Sequence, residues 1–336
     1  MNKKEFKTKS GINVLITSVG RRAPLVKVFK QAQKSVGRFF NGKVITVNAD
    51  PYCAGLYVSD AFHIVPYVHD KDYIPTILGI CQEEKIDLLV PTIDDELTIF
   101  PTHKDRFEEV GVKVVCSPLE TVQICNDKLK TYEFFLKNNI PTPKTYLLNG
   151  RSSGFPHLEY PFIVKPRDGR GSYGIFKISN KHEFKLYKNT ITNPIAQEYL
   201  TGREFTIDVL CNFEGMVIAV VPRERITVRA GVSDQGKTIK DWRLISYGTM
   251  IAQLLKIAGP ANIQGFTDGE KIAFTEINPR FSGGIPLTIA AGVDFPALLI
   301  RMAAGEKVEP MIGNFKENLM MLRYEMSVFR EDLEDL

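Results

Sequence analysis

The stretch Phe274-Thr275-Glu276-Ile277-Asn278-Pro279-Arg280 alternates apolar and polar residues. In a strand, residues two apart share a face, so Glu276, Asn278 and Arg280 project together. A carboxylate beside an amide oxygen suits Mg2+, which takes hard oxygen ligands and keeps waters or phosphate oxygens in its shell. The arginine can hold a phosphate oxygen. The same residues also fit a polar strand end whose Asn-Pro opens a turn.

A second signal is Lys165-Pro166-Arg167-Asp168-Gly169-Arg170-Gly171-Ser172-Tyr173-Gly174, a glycine-rich loop with a β-rich run on either side. A strand–loop–strand context predicts a flap whose backbone N–H groups close over phosphates, or else an ordinary flexible hairpin loop. Lys165 ends an apolar strand, where an unpaired ammonium is costly to bury, so it is predicted to point at an anion. Lys128 opens a helix, where the dipole disfavours a cation unless a negative group is near; alone it also reads as a solvated residue.

Four weaker groups complete the candidates. Gln197–Glu204 combines a strand and a Gly turn with carboxylates at Glu198 and Glu204, fitting either a base-and-ribose hinge or a plain hairpin. The basic run from Arg223 through Arg225 and Arg229 to Lys237 reads as a mobile anion clamp or as a solvated loop. Arg21 and Arg22 precede a predicted helix, where an anionic ligand would relieve their conflict with its dipole. Asp94-Asp95-Glu96 could meet a substrate ammonium, or Asp94 or Asp95 could cap the next helix.

The elements that position these residues fall into two styles. Strands at Val14–Thr17, Val44–Val47, Leu88–Val90 and Val112–Val115 alternate with helices at Pro24–Gln33, Tyr73–Glu84 and Asp95–Val110, the rhythm of a parallel α/β sheet. Another helical stretch runs from Thr121 to Asn138. From Phe162 onward, antiparallel strands are predicted at Ile195–Leu200, Glu204–Cys211 and Val217–Val221. Asn262–Thr267 and Lys271–Asn278 form a hairpin around Asp268-Gly269. A helix over Pro296–Ala304 and a strand over Leu319–Val328 close the chain.

The 336 residues imply about two compact units. Lys+Arg 43 against Asp+Glu 39 gives a net charge of +4, too small an excess for a nucleic-acid surface. The 5 cysteines show no metal-ligand or disulfide spacing, and no apolar run is long enough for a signal peptide or a membrane span. A cytoplasmic protein with reduced thiols is expected, binding neither nucleic acid nor membrane. There is no G-x-G-x-x-G after the first strand, and Asp50 lies further beyond Gly20 than the ~20 residues of a dinucleotide ribose contact.

Lys128, Lys165 with its glycine loop, Glu198…Glu204, Gln264 and Glu276-x-Asn278-Pro279-Arg280 occur in an order that resembles the ATP-grasp superfamily, and most closely one synthetase unit of the carbamoyl-phosphate synthase large subunit. The resemblance is specific at Ile163-Val164-Lys165-Pro166 and at Glu276–Arg280. It implies an N-terminal Rossmann-like parallel domain over 1–117 and a two-lobed ATP-grasp fold over 118–336, with a flap lobe at about 145–195 and a large lobe at about 196–336.

By the same resemblance, Lys128 and Lys165 contact ATP phosphates, and Gly169, Gly171, Ser172 and Gly174 belong to the flap. Glu198, Tyr199 and Leu200 hold the adenine, and Glu204 the ribose. Glu276, Asn278 and Gln264 hold Mg2+, two ions in the family pattern with Mn2+ as a substitute. Arg280 steadies the transferred phosphoryl group. Outside the family pattern, Arg225, Arg229 or Lys237 is expected to stabilise the acyl phosphate, and Arg21, Arg22, Asp94 and Glu96 to meet the substrates. The implied reaction is ATP-dependent ligation of a small-molecule carboxylate to an amine, or to a thiol, through an acyl phosphate. A single unit implies a stand-alone ligase acting on an amino acid or a polymer-linked precursor, comparable to the pyrrolysine-pathway ligase; the sequence leaves its oligomeric state open, a homodimer being the commonest symmetric assembly. The alternatives are a non-catalytic ATP/ADP-binding regulator and a carbamoyl-phosphate-synthase-like kinase of a carboxylate or carbamate that works with a partner protein.

One geometric expectation concerns Gln264. A two-residue Asp268-Gly269 turn would pair Thr267 with Glu270 and turn Gln264 away from Glu276. An odd loop, Asp268-Gly269-Glu270, puts both on one face, and that loop is predicted.

Overall fold

The computed structural model describes residues 11–37, 41–148, 157–169, 173–229 and 231–331. Its first sheet is fully parallel: β1 (Val14–Ile16), β2 (Val44–Asn48), β3 (Ala61–Ile64), β4 (Leu88–Val90) and β5 (Lys113–Val114) lie in the order β3-β2-β1-β4-β5. β1 and β4 are buried throughout, as central parallel strands covered on both faces must be. α1 (Ala23–Ser35) has Pro24 in its first turn and buries Leu25, Val26, Phe29 and Ala32 along one stripe. The loop before it turns through Ser18 and Gly20, both at φ 45°, which brings Arg21 and Arg22 to the carboxyl ends of the strands. α2 (Tyr73–Glu83) follows β3.

The helix expected over Asp95–Val110 is broken. α3 (Asp94–Ile99) and α4 (Lys104–Glu109) flank a 3-10 turn at Phe100–His103, because Pro101 has no N–H to continue the ladder. The helix expected over Thr121–Asn138 is also two, α5 (Leu119–Cys125) and α6 (Lys128–Lys137). Asp127 caps α6 by accepting from Leu129 N at 3.0 Å and Lys130 N at 3.2 Å.

β6 (Thr145–Leu147), β7 (Phe162–Pro166), β8 (Phe176–Ile178) and β9 (Pro194–Glu198) form an antiparallel sheet in the order β6-β9-β7-β8, with α7 (Lys181–Thr190) between β8 and β9. A six-stranded antiparallel sheet follows. It contains β10 (Arg203–Cys211), β11 (Val217–Arg229), β12 (Val232–Thr238), β13 (Gly259–Thr267), β14 (Ile272–Asn278) and β15 (Met320–Leu322), in the order β14-β13-β10-β11-β12-β15. The run from Arg223 to Lys237 is therefore not a loop: it is the β11–β12 hairpin, with Arg223 opposite Thr238 and Glu224 opposite Lys237. α8 (Trp242–Leu254), unanticipated from sequence, starts at the Asp241 cap and packs on β10 and β11. α9 (Ile285–Ala290) and α10 (Phe295–Ala303) precede β15, which is only three residues of the strand expected over Leu319–Val328.

The β13–β14 connection corrects the predicted odd loop. Thr267 pairs with Ile272 across four residues, Asp268–Lys271. A bulge at Thr275 then shifts the register, so that Gly265 faces Phe274 but Gln264 faces Glu276. Phe274 thereby packs against Phe135, Phe205 and Tyr247, while Glu276 turns to the opposite face.

Candidate active site

Lys165 is the penultimate residue of β7 and is only 7% exposed. Its ammonium donates to Gln197 Oε1 at 2.7 Å, and Gln197 Nε2 donates to Thr145 Oγ1 at 2.9 Å. No carboxylate bonds to it among the described residues. Burial is the main cause that lowers its pKa to about 8; Glu276 attracts the charge and Lys128 repels it. The two lysines and Glu276, from three distant segments, thus share one electrostatic neighbourhood.

A clamp brings those segments together. Arg167, just past β7, makes a bidentate ion pair with Asp127 at 2.7 and 2.6 Å, and Lys128 N donates to Arg167 O at 3.0 Å. The Lys128 ammonium donates to Gly169 O. Gly169 and Gly174 both stand against the Pro166 ring, and Gly174 adopts φ 72°. Gly171 and Ser172 lie outside the described residues.

At the end of β9, Glu198 is exposed and exchanges hydrogen bonds with Lys144. Its N donates to Lys144 O at 2.9 Å, and Lys144 N donates to Glu198 Oε2 at 3.2 Å. The Lys177 ammonium sits over the Tyr199 ring at 4.3 Å, and Leu200 is half-buried beside it.

On the six-stranded sheet the register gathers Glu204, Thr206 and Asp208 (β10), Arg223 and Arg225 (β11), Asn262 and Gln264 (β13) and Glu276 and Asn278 (β14) onto one face. Arg225 bridges this face, donating to Glu204 Oε1 at 2.5 Å, Gln264 Oε1 at 3.2 Å and Gly231 O at 3.0 Å. Burial raises the Glu204 pKa, and the Arg225 cation opposes that shift. Arg280 is held by Asp94 at 2.7 and 3.1 Å and donates to Asn278 Oδ1 at 3.2 Å. The Glu276 carboxylate accepts no hydrogen bond among the described residues.

No group of three or more His, Cys, Asp or Glu able to hold a metal occurs among the described residues, so a cation here needs amide and ligand oxygens as well. Glu276 offers a carboxylate that accepts no hydrogen bond among the described residues, and Gln264 and Asn278 beside it offer amide oxygens that each accept one bond, from Arg225 and Arg280, and keep a second lone pair. That hard-oxygen set fits Mg2+ whose remaining ligands come from phosphate and water.

A cleft of about 1040 Å3 opens between the carboxyl ends of the parallel strands and this face. It is lined by Arg21, Arg22, Asp94 and Asp95 from one side and by Arg225, Arg229, Gln264, Glu276, Asn278 and Arg280 from the other. Neither lysine lines it; Glu276 is the group common to both neighbourhoods. Arg229 is 70% exposed and pairs with Glu325 at 2.8 Å.

Two expectations in the Asp94–Glu96 segment are corrected. Glu96 does not face a substrate: it is fully buried and accepts from Tyr73 Oη at 2.5 Å, Ser18 Oγ at 2.7 Å and Thr92 N at 3.0 Å. Burial is the leading cause that raises its pKa. Neither Asp94 nor Asp95 caps α3; the Glu96 carboxylate reaches back to Ile93 N, while Asp94 is committed to Arg280. Sequence reasoning missed Arg167, Asp127 as its partner, and Arg323, a half-buried residue of the cleft wall that donates to Gly283 O at 2.5 Å. Asp127 before a helical pattern was a readable cap signal; Arg323 had none.

Two family matches fall on these two parts of the chain. Residues 14–115 match the PylC-like N-terminal domain, and residues 191–325 match the ATP-grasp domain of the biosynthetic pathway with Ter operon. The carbamoyl phosphate synthase large chain of Clostridium acetobutylicum is 24% identical over 258 residues, 71% of this chain but 24% of that protein, so this chain spans about a quarter of its length. The L-amino acid ligase from Bacillus licheniformis superposes with a TM-score of 0.68 at 19% identity, covering 92% of this chain and 78% of that one. The biotin carboxylase domain of Hydrogenobacter thermophilus 2-oxoglutarate carboxylase, a dimer in complex with MgADP and bicarbonate, gives 0.70 at 16% identity, covering 93% and 74%. The order of motifs and the paired sheets that carry them agree with these matches: residues 191–325 belong with an ATP-grasp family model, residues 14–115 with a PylC-like N-terminal domain, and the whole chain shares the fold of ATP-grasp ligases.

Proposed function

We propose that the chain is an ADP-forming ligase that joins a small-molecule carboxylate to an amine at the expense of ATP. The observation that carries this reading is Lys165: a buried ammonium whose hydrogen-bond partner among the described residues is an amide oxygen, beside Lys128 and Glu276. A cation so placed gains most from polyanionic phosphate. ATP binds with its phosphates at Lys128 and Lys165 under the glycine loop, its adenine at Glu198–Leu200 and its ribose at Glu204, whose Oε2 accepts no bond among the described residues. Glu276, Gln264 and Asn278 hold Mg2+, which supplies charge neutralisation on the phosphates.

A carboxylate oxygen of the acid attacks the γ-phosphorus and ADP departs. Arg280, fixed by Asp94, would hold the transferred phosphoryl oxygens, and a hydrogen-bonded chain through Asn278, Asn262 and Gln264 links it to Arg225. The amine then attacks the acyl phosphate and inorganic phosphate leaves. The MgADP and bicarbonate of the 2-oxoglutarate carboxylase domain and the amino acid substrates in the name of the Bacillus ligase support this class. The five unpaired cysteines support a reducing compartment such as the cytoplasm. No helix among the described residues is long and apolar enough to cross a membrane.

The test is ADP release from Mg-ATP across pools of amino acids and small carboxylates, with and without added amine. Acid-dependent release that rises with amine and is lost in Glu276→Ala is expected. Binding of Mg-ATP with no release under any pool would leave a nucleotide-binding protein without ligase activity.

A further inference from the structure

Four guanidinium groups from four separate elements converge on three consecutive residues of the cleft wall. Arg22, at the start of α1, donates to Phe281 O at 3.4 Å, and Arg280 donates to the same oxygen at 3.3 Å. Arg223 of β11 donates to Ser282 Oγ at 3.1 Å, and Arg323, just beyond β15, to Gly283 O. All four line the cleft.

Two of the four charges are paired with a carboxylate and two are not. Asp94 is taken by Arg280 and Asp208 by Arg223. Arg22 and Arg323 make no ion pair among the described residues, and each donates to a backbone carbonyl. Burial is the main cause that lowers the Arg22 pKa to about 10, with repulsion from Arg280 next, against attraction from Asp94 and Glu96. Burial also lowers that of Arg323. Asp234 attracts its charge, while Arg223 and Arg21 repel it. Arg223 adds a further opening, since its Nη1 is buried without a hydrogen-bond partner. That atom stands beside Gly284, where a Cβ would lie 2.3 Å from it, so the wall is bare of side chains at this point.

We propose that Arg22 and Arg323 anchor a second anionic group, a carboxylate or a phosphate, on the acid whose other carboxylate is activated. Arg22 and Arg280 share the Phe281 carbonyl, which places the anchor within one small molecule's length of the phosphoryl-transfer position. Guanidinium forks match the planar or tetrahedral oxygens of such groups. The inference rests on the ligase reading above, and it selects dianionic acids from the carboxylates that reading admits.

Isothermal titration on the full chain with Mg-ADP present tests it with two matched probe pairs, glutarate against butyrate and 3-phosphoglycerate against glycerate. At least one dianion is expected to bind the unaltered chain roughly tenfold more tightly than its monoanionic partner, as charge-assisted bonds imply. The pair that shows the preference identifies the group as carboxylate or phosphate. Arg22→Gln with Arg323→Gln must erase the preference while Mg-ADP affinity and melting temperature stay unchanged. If the glutamine pair lowers the melting temperature, Arg22→Lys with Arg323→Lys takes its place and must weaken the preference at least severalfold, because lysine keeps the charge and loses the fork. No dianion preference in the unaltered chain, or a preference that survives both double variants, overturns the anchor. Failure of the ligase reading looks different: acids and amine stimulate no ADP release, whatever the anion preference.

Discussion

Arg223 and Lys165 are both buried cations on sheet faces, yet their surroundings differ in kind. The six-stranded sheet gives Arg223 a carboxylate: Asp208 accepts at 2.7 and 3.0 Å and is itself bonded by Thr288 Oγ1 at 2.6 Å. The four-stranded sheet gives Lys165 only the amide oxygen of Gln197. The first arrangement is complete in most respects without a ligand. The second leaves a charge without a carboxylate partner among the described residues, and under the proposed function the bound phosphate offsets its cost. The difference separates a charge that the fold itself compensates from one that it does not.

Breaking the complete pair should have the largest effect. Asp208→Ala leaves Arg223 buried and uncompensated, and a loss of about 3–5 kcal/mol is expected in urea unfolding. A loss under about 1 kcal/mol would mean that solvent reaches Arg223 and that the contrast with Lys165 is unfounded. Removing the uncompensated charge should work the other way. With a folded pKa of about 8 against an ordinary 10.5, the Lys165 charge costs about 3 kcal/mol at pH 7. That cost is full below pH 8, falls between pH 8 and 10.5 and vanishes above, because there neither state is charged. Lys165→Met is therefore expected to stabilise the ligand-free chain at pH 7 and lose the advantage as pH rises, while Mg-ATP affinity drops sharply. Equal stability of the two proteins at pH 7 would show that Lys165 is already compensated.

Sequence made the uncompensated side legible and hid most of the complete side. Lys165 at the end of an apolar strand, the glycines after it and the shared face of Glu276 and Asn278 are local patterns, readable from spacing alone. What joins them is not local. Asp127 and Arg167 are 40 residues apart, and no spacing rule links an N-cap to a strand end. The face presented by Gln264 depended on a bulge at Thr275, which a turn-length argument cannot anticipate, since the bulge changes parity after the turn has been made. Glu96 failed for a related reason: a carboxylate in an acidic triplet looks solvent-facing, but Tyr73 and Ser18 reach it from other elements. Pro101 and the Asp127 cap, by contrast, are local signals, and the helix breaks they impose are legible in the sequence.

The clamp that carries Lys128 to Lys165 should give an intermediate effect. Asp127→Ala removes an N-cap, about 1 kcal/mol, and a partly exposed ion pair worth up to about 1 kcal/mol more. Mg-ATP affinity should fall with it, since Lys128 would no longer be tied to the end of β7. If stability falls and affinity does not, the two lysines converge without the clamp.

The smallest effect is expected at Arg229, and it sharpens the comparison within one strand. Arg225 and Arg229 lie on β11, four residues apart, but Arg225 has a side chain 6% exposed and Arg229 one 70% exposed. The pair between Arg229 and Glu325 is screened by water on both partners, so Arg229→Ala should change unfolding free energy by less than about 0.5 kcal/mol. Arg225→Ala strips Glu204 of its cation and Gln264 of a donor, and should cost far more of both stability and turnover. Turnover measured at saturating acid decides whether Arg229 belongs with the charges of the site. A drop as large as that of Arg225→Ala, with stability untouched, would mean that the β11–β12 hairpin tip folds inward when substrate is bound.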